Sequence, residues 1–430
     1  MFEWASVSVI GMGYIGLPTC AIFASRGISV VGVDVNPDVV DSVNRGEVHI
    51  VEPDLDGLIQ KVVANGKLRA SLTPEPADAF VIAVPTPMTE DKKADLTYVF
   101  TAGRSIAPCL KKGDLVVLES TSPVGTTMRL CKLLAELRPD LKFPDTAGED
   151  SDVLVAYSPE RVLPGKVLAE LVNNDRSVGG ISRRSSDLAA SLYSTFVAGD
   201  LVITSAESAE LVKLTENAFR DVNIAFANEL SAVCTHLNLN VWEVIELANR
   251  HPRVSILQPG PGVGGHCIAV DPYFIVEAAP KQTLLMSSAR RINSERPQSV
   301  VDEVCDVVGN EKGLKIACLG LAFKPNIDDL RESPAIEVVK LLAKANIGKI
   351  IACEPHVKKL PDDLARLGIE FLDVLNAIDT ADIIVLLVDH RQFDLIDPNA
   401  LSGKKLIDTR GLWTWRKARK ADARIIEGRK

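Results

Sequence analysis

Residues Ser6-Val-Ser-Val-Ile10 form a β-rich run that passes straight into Gly11-Met-Gly13-Tyr-Ile-Gly16 and then into a helical pattern through Ala24, which Gly27 stops. Ile28 to Asp34 follows as a second apolar run that ends in an acid. No other stretch limits the fold so tightly, because strand, glycine turn, helix and returning strand make a βαβ unit with a fixed right-handed crossover. Gly11 is placed to make the turn and Gly13 to let a pyrophosphate sit against the helix N-terminus. Gly16 is placed to let helix and strand pack closely. Asp34 falls where a carboxylate holds the ribose hydroxyls of a dinucleotide and repels a 2′-phosphate, so NAD is expected rather than NADP.

Further strands are expected at Ala79–Val84, Asp114–Glu119 and Val153–Tyr157. Each runs into a polar or proline-bearing loop: Pro85-Thr-Pro87, Ser120-Thr-Ser-Pro123 and Ser158-Pro-Glu-Arg161. In a doubly wound sheet such loops lie at the carboxyl ends of the strands, where ligands bind. From about Ser205 the strand signals stop. Ala209 to Leu230 has helical periodicity with no Gly or Pro, and a second helical region spans roughly 283–309. Alternation then resumes with strands at Leu314–Gly320, Lys349–Cys353, Ala381–Val388 and about Lys405, and a helix at Pro334–Ala345. The last part echoes the first without its glycines. The expected fold is therefore α/β, with two Rossmann-like doubly wound domains joined by a central long helix. The expected divisions are residues 1–204, 205–309 and 310–430.

Two stretches in the middle carry candidate chemistry. Pro259-Gly-Pro-Gly-Val-Gly-Gly-His-Cys-Ile-Ala-Val-Asp-Pro272 is too rich in Gly and Pro to be a regular element. It must be a shaped loop that either presents Cys267 to a ligand or merely turns around a small core thiol. On the long helix Lys213, Asn217 and Arg220 stand at i, i+4 and i+7, on one stripe. That stripe is either a wet surface or one face of a site. The flanking Leu211, Val212, Leu214, Phe219, Ile224 and Phe226 are expected to leave little of the helix to solvent.

Composition removes several classes. Eight cysteines lie scattered without a Cys-x-x-Cys, which argues against a zinc site and a disulfide framework. A net charge of −9 disfavours nucleic acid and anionic membrane as partners. No apolar run is long enough to cross a bilayer. The start, Met1-Phe-Glu-Trp-Ala5, has no basic region, so no signal peptide and a cytoplasmic location are expected. The basic stretch from Arg416 is expected to be a solvated tail, and Ile426-Glu-Gly-Arg429 spells an appended protease site.

Six motifs in order resemble the nucleotide-sugar 6-dehydrogenases of the UDP-glucose/GDP-mannose dehydrogenase family. They are Gly11-x-Gly-x-x-Gly16, Glu119-Ser-Thr-Ser-Pro-Val-Gly125, Ser158-Pro-Glu-Arg161, Lys213-Leu-Thr-Glu-Asn217, Gly264-Gly-His-Cys-Ile-Ala-Val-Asp271 and Phe323-Lys-Pro-Asn-x-Asp-Asp-x-Arg331. The resemblance implies a metal-free oxidation of a sugar C6 alcohol to a carboxylate by two hydride transfers to NAD⁺. His251-Pro-Arg-Val and the loop from Gln258 look most like the members acting on UDP-N-acetylmannosamine. It makes Cys267 the nucleophile that forms a thiohemiacetal and then a thioester, Lys213 the acid/base and oxyanion stabiliser, and Asn217 a donor to the same oxygen. Asp271 and Thr121 would hold a proton-shuttling water, and Glu160 would assist thioester hydrolysis.

The resemblance further assigns Tyr14, Ile15, Asp34, Thr86, Thr127 and Arg331 to NAD. An ion pair with Asp328 or Asp329 is the other account of Arg331. It assigns Arg161, Val162, Arg220, His251, Arg253, Gly264, Phe323 and Lys324 to the UDP-sugar, besides Lys213 and Asn217. It implies a homodimer in which His251 and Arg253 reach a neighbour's site, and a product used for surface polysaccharide. The place of Arg410 stays open. UDP-N-acetylglucosamine or UDP-glucose is an alternative substrate, since epimers are told apart by a few contacts. A two-electron 3-hydroxyacid dehydrogenase and a silent nucleotide-sugar sensor are the alternatives of other classes.

Overall fold

A computed structural model describes residues 4–163, 165–265 and 267–417 of the chain. It divides into two compact units, one of Met1–Glu216 with Tyr273–Pro280 and one of Asn217–Pro272 with Lys281–Lys430. The basic tail beyond residue 417, including Ile426-Glu-Gly-Arg429, lies outside the described residues.

The first unit is built on an eight-stranded sheet. Its strands are β1 Ser6–Ile10, β2 Ser29–Val33, β3 Leu68–Ser71, β4 Ala79–Ile82, β5 Leu115–Leu118, β6 Leu154–Tyr157, β7 Arg176–Gly180 and β8 Leu201–Ser205, in the order 3-2-1-4-5-6-7-8. Neighbouring strands run parallel except β6 and β7. Helices cover both faces, so β4, β5 and β6 are buried along their whole length, and they read as unbroken apolar runs for that reason. The order reverses beside β1, whose carboxyl end carries the glycine turn.

The second unit contains a five-stranded parallel sheet: β9 Lys315–Leu319, β10 Lys349–Cys353, β11 Glu370–Phe371, β12 Ile383–Leu386 and β13 Lys405–Asp408, in the order 11-10-9-12-13. This repeats the 3-2-1-4-5 order of the first sheet, so the echo in the sequence is an architectural repeat. The equivalence extends to a side chain. Asp34 follows β2 and accepts the Met12 N–H, while Glu354 follows β10 and accepts the Leu321 and Ala322 N–H groups. In the second unit that acid is closed off. His390 Nδ1 accepts the Asn326 N–H, so the ring carries its proton on Nε2 and donates it to Glu354 at 3.0 Å.

The helix Pro334–Ala345 matches its expected bounds because each local signal agrees. Ser333 accepts the Ala335 N–H as N-cap, Pro334 takes the first turn, and Asn346 leaves it with φ of 53°. The long central helix runs Ala206–His236. One expectation about it fails. Leu214 is buried, but Leu211, Val212, Phe219 and Phe226 are exposed, with Phe219 at 67%. An apolar residue on a helix is buried only if something is packed against that face, and this chain leaves the face of Phe219 and Phe226 uncovered. No helix among the described residues is long and apolar enough to cross a membrane.

Candidate active site

In the first unit the glycines of the β1 turn have the geometry their spacing implies. Gly11 has φ of 95°, and a Cβ there would lie 2.6 Å from the Ala83 carbonyl oxygen. A Cβ on Gly16 would lie 1.8 Å from the Gly11 oxygen, so helix and turn touch through hydrogen atoms alone. A Cβ on Gly13 would meet nothing within 4 Å. The backbone is open where a pyrophosphate has to approach, and the amide of Met12 is tied to Asp34 Oδ2 at 3.0 Å. Tyr14 is exposed, Ile15 half-buried, and the Thr86 hydroxyl is buried with no hydrogen-bond partner among the described residues. These residues fit a dinucleotide.

Thr127 is placed differently from its expectation. It is fully buried, and its N–H and hydroxyl both donate to Glu210, at 2.7 and 2.6 Å, while Gly125 N–H donates to the other oxygen. Glu210 thereby occupies the N-terminus of the helix Thr126–Leu137, a position that favours an anion. Nearby, Thr121 is half-buried, and Glu160 lies 3.3 Å from Arg176. Arg161 is paired with Glu216 at 2.6 Å and also donates to the Asp175 carbonyl, and Val162 is half-buried against the first core.

Along the central helix a buried polar stripe emerges that the exposed stripe had hidden. Glu210, Asn217, Asp221 and Asn228 are separated by 7, 4 and 7 residues, so they share one face, and all four are buried. Asn217 Nδ2 donates to Asp271 Oδ2 at 2.6 Å. Asp221 accepts from Arg290 at 2.8 Å and from Asn293 at 2.8 Å. Burial raises the Asp221 carboxyl above the usual range, even against the opposing charge of Arg290. Asn228 donates to Asn293 and accepts the Gly260 N–H, each at 2.9 Å. Asn217 and Asn228 of this stripe anchor the two ends of the glycine-rich loop. Asp221, Asn228, Arg290 and Asn293 escaped the sequence reading, although polar residues at heptad spacing inside an apolar helix were a visible signal.

The loop carries Cys267, which is exposed and in no disulfide. Its carbonyl accepts the N–H groups of Val270 and Asp271, at 3.1 and 2.8 Å. That turn places Cys267 and Asp271 at its two ends, with Asn217 bonded to the Asp271 carboxylate. Lys213, half-buried, stands one turn earlier on the helix, and Arg220 is exposed. Gly264 and Gly265 lie against Phe323: a Cβ on either would fall 2.9 Å from it, and one on Gly264 would lie 2.5 Å from the Glu332 carbonyl oxygen. Lys324 is exposed, as are His251 and Arg253. Arg331 is held by Asp329 through two hydrogen bonds of 2.8 and 2.7 Å, the ion-pair alternative.

Arg410 turns out to brace the same loop, with Nε on Asp389 at 3.0 Å and Nη1 toward the Pro259 carbonyl at 3.4 Å. It borders a cavity of about 460 Å³ that is also lined by Trp242, Asn249, Gln258 and Trp415.

Three domain models of the UDP-glucose/GDP-mannose dehydrogenase family match in order: the NAD binding domain over 5–197, the central domain over 207–295 and the UDP binding domain over 317–414. The chain belongs to the UDP-glucose/GDP-mannose dehydrogenase family. It is thus an oxidoreductase with NAD as its cofactor, and the fold described above is the family's. An NDP-N-acetyl-D-galactosaminuronic acid dehydrogenase of Ralstonia nicotianae is 56% identical over 96% of this chain and 97% of its own length. A UDP-N-acetyl-D-mannosamine dehydrogenase of Escherichia coli K12 is 54% identical over 96% and 100%. Among solved structures, a UDP-D-ManNAc dehydrogenase from Pyrococcus horikoshii shares 37% identity at a TM-score of 0.84, covering 95% of this chain and 96% of that one.

Proposed function

We propose that the chain is a four-electron UDP-N-acetyl-D-mannosamine 6-dehydrogenase that yields the uronate. The observation that carries this reading is an exposed Cys267 one backbone turn before Asp271, whose carboxylate accepts from Asn217 at 2.6 Å. NAD⁺, when bound, accepts one hydride in each of two oxidations. Lys213 stabilises the C6 alkoxide as the alcohol loses its proton, and Asn217 donates to the same oxygen. The aldehyde so formed has no second hydride to give until a nucleophile adds. Cys267 sulfur bonds to C6, and the resulting thiohemiacetal loses hydride to become a thioester. Water, directed by Glu160, adds to that carbon and expels the thiolate. One alcohol and one water thus become one carboxylate, with two hydrides and three protons released.

The UDP-sugar meets Arg161, Val162, Arg220, Gly264, Phe323 and Lys324 in this reading. The 54% identity to the Escherichia coli enzyme supports the mannosamine epimer. The 56% identity to the Ralstonia protein supports a second reading, an N-acetylgalactosamine nucleotide. Val212, Phe219, Phe226 and Val233 recur every seven residues on the central helix and are all exposed, which supports a homodimer joined along that stripe. His251 and Arg253 then reach the neighbour's substrate. A cytoplasmic enzyme supplying an aminouronic acid to a surface polysaccharide is the biological setting that follows.

Purified protein given NAD⁺ and each UDP-hexose in turn decides among these, with NADH counted per sugar consumed. Two NADH on UDP-N-acetylmannosamine supports the proposal, and two on UDP-N-acetylgalactosamine alone supports the second reading. A single NADH, or binding without any, overturns both.

A further inference from the structure

Beneath the loop that carries Glu160 lies a group of charges that the chemistry above does not use. Arg176 opens β7 and is almost wholly buried. Its Nη2 donates to Glu119 Oε1 at 2.7 Å and lies 3.3 Å from Glu160 Oε2. Its Nε donates to Ser158 Oγ at 2.9 Å, and its guanidinium sits 4.1 Å from the ring centre of Tyr193. The Tyr193 hydroxyl donates to Glu119 Oε1 at 2.7 Å, and Glu160 Oε1 accepts the Arg161 N–H at 2.6 Å.

Two carboxylates thus share one guanidinium in a place with little water. A buried pair balances its own desolvation only with good geometry, and a second buried acid adds cost without a second cation. Glu119 Oε2 is buried with no hydrogen-bond partner among the described residues. Burial raises the Glu119 carboxyl, against the pull of Arg176. A group needed only to knit the sheet together has no use for the extra acid, whereas one that sets the field at a working carboxylate does.

We propose that Arg176 is a positioning residue for Glu160, and that Glu119 decides how much of the guanidinium charge Glu160 receives. This rests on Glu160 acting in thioester hydrolysis. The charged and titratable groups that face the cluster are Glu119 after β5, Arg176 on β7, Tyr193 on the helix Arg183–Tyr193, the Arg161–Glu216 pair, and Cys20 on the first helix.

The test follows decay of the Cys267 acyl-enzyme by rapid quench and mass spectrometry, across pH. Glu119→Gln keeps the shape but removes a like charge, so the acid limb of the decay profile moves to lower pH. Arg176→Gln moves it to higher pH, and Arg176→Lys restores part of that displacement. If Arg176→Gln does not fold, Glu119→Gln still decides: a limb that stays in place or moves upward overturns the proposal. Glu160→Gln separates the two layers. Unchanged decay in that variant removes the role given to Glu160, whereas stalled decay beside an unmoved Glu119→Gln limb removes only the role given to Arg176.

Discussion

The open side of Gly13 and the crowded sides of Gly11 and Gly16 show that three glycines in one motif answer three different demands. Only Gly13 faces space that a ligand must enter. Gly13→Val is therefore expected to leave the melting temperature of the apoprotein near the parent value and to weaken NAD⁺ binding at least tenfold, about 1.4 kcal/mol, by calorimetric titration. A large loss of stability with unchanged binding contradicts this. Cys267→Ser is expected to bind the nucleotide sugar normally yet to form little or no uronate, read by mass spectrometry of the product. Asn217→Ala removes a donor to the developing alkoxide and should lower kcat by about 10²–10³. The glycine turn was legible because its spacing implies its local geometry. The Glu210 contact to Thr127 was not, since 83 residues separate the partners.

At the scale of elements, the unbroken apolar strands were plain in the sequence and β3, β7, β8 and β11 were not; β7 is buried throughout but reads Arg-Ser-Val-Gly-Gly. β3 reads Leu-Arg-Ala-Ser, β11 has two residues, and β8 has an exposed Val202 at the sheet's edge. Short edge strands carry weak apolar signals because one side of their ladder is open. The central helix was recognised from 22 residues free of Gly and Pro, but its environment was misjudged, since periodicity reveals that a face is apolar and not what lies on it. Charging that face tests the dimer. Phe219→Asp with Phe226→Asp should sediment as a monomer where the parent sediments as a dimer, and a parent that is monomeric at micromolar concentration refutes the interface.

For the whole molecule, the repeat of one strand order in two sheets means that equivalent positions have separate fates. Asp34 is left half-buried beside an open glycine turn, while Glu354 is buried under His390. Burial raises the Glu354 carboxyl, but the hydrogen bond from His390 and the amides of Leu321 and His356 outweigh it and leave it below the usual glutamate range. A carboxyl depressed on folding adds stability that is complete above its unfolded value of roughly 4.3 and is lost as pH falls through the lower folded value. Glu354→Gln should cost about 1–3 kcal/mol at neutral pH and flatten the acid side of the stability curve, read by denaturant unfolding between pH 3 and 7. An unchanged acid slope contradicts that account.

Local physical chemistry settled the βαβ unit, the shaped cysteine loop, the Gly- and Pro-free helix and the duplicated alternation, because backbone preference and apolar period act over a few residues. The pairing of Asn217 with Asp271, the anchoring of Gly260 by Asn228, the burial of Thr127 under Glu210 and the sharing of Arg176 by two acids were decided by tertiary structure alone. Each joins groups far apart in the chain, and a hydrogen bond depends on where folding brings two atoms, which no window of sequence records.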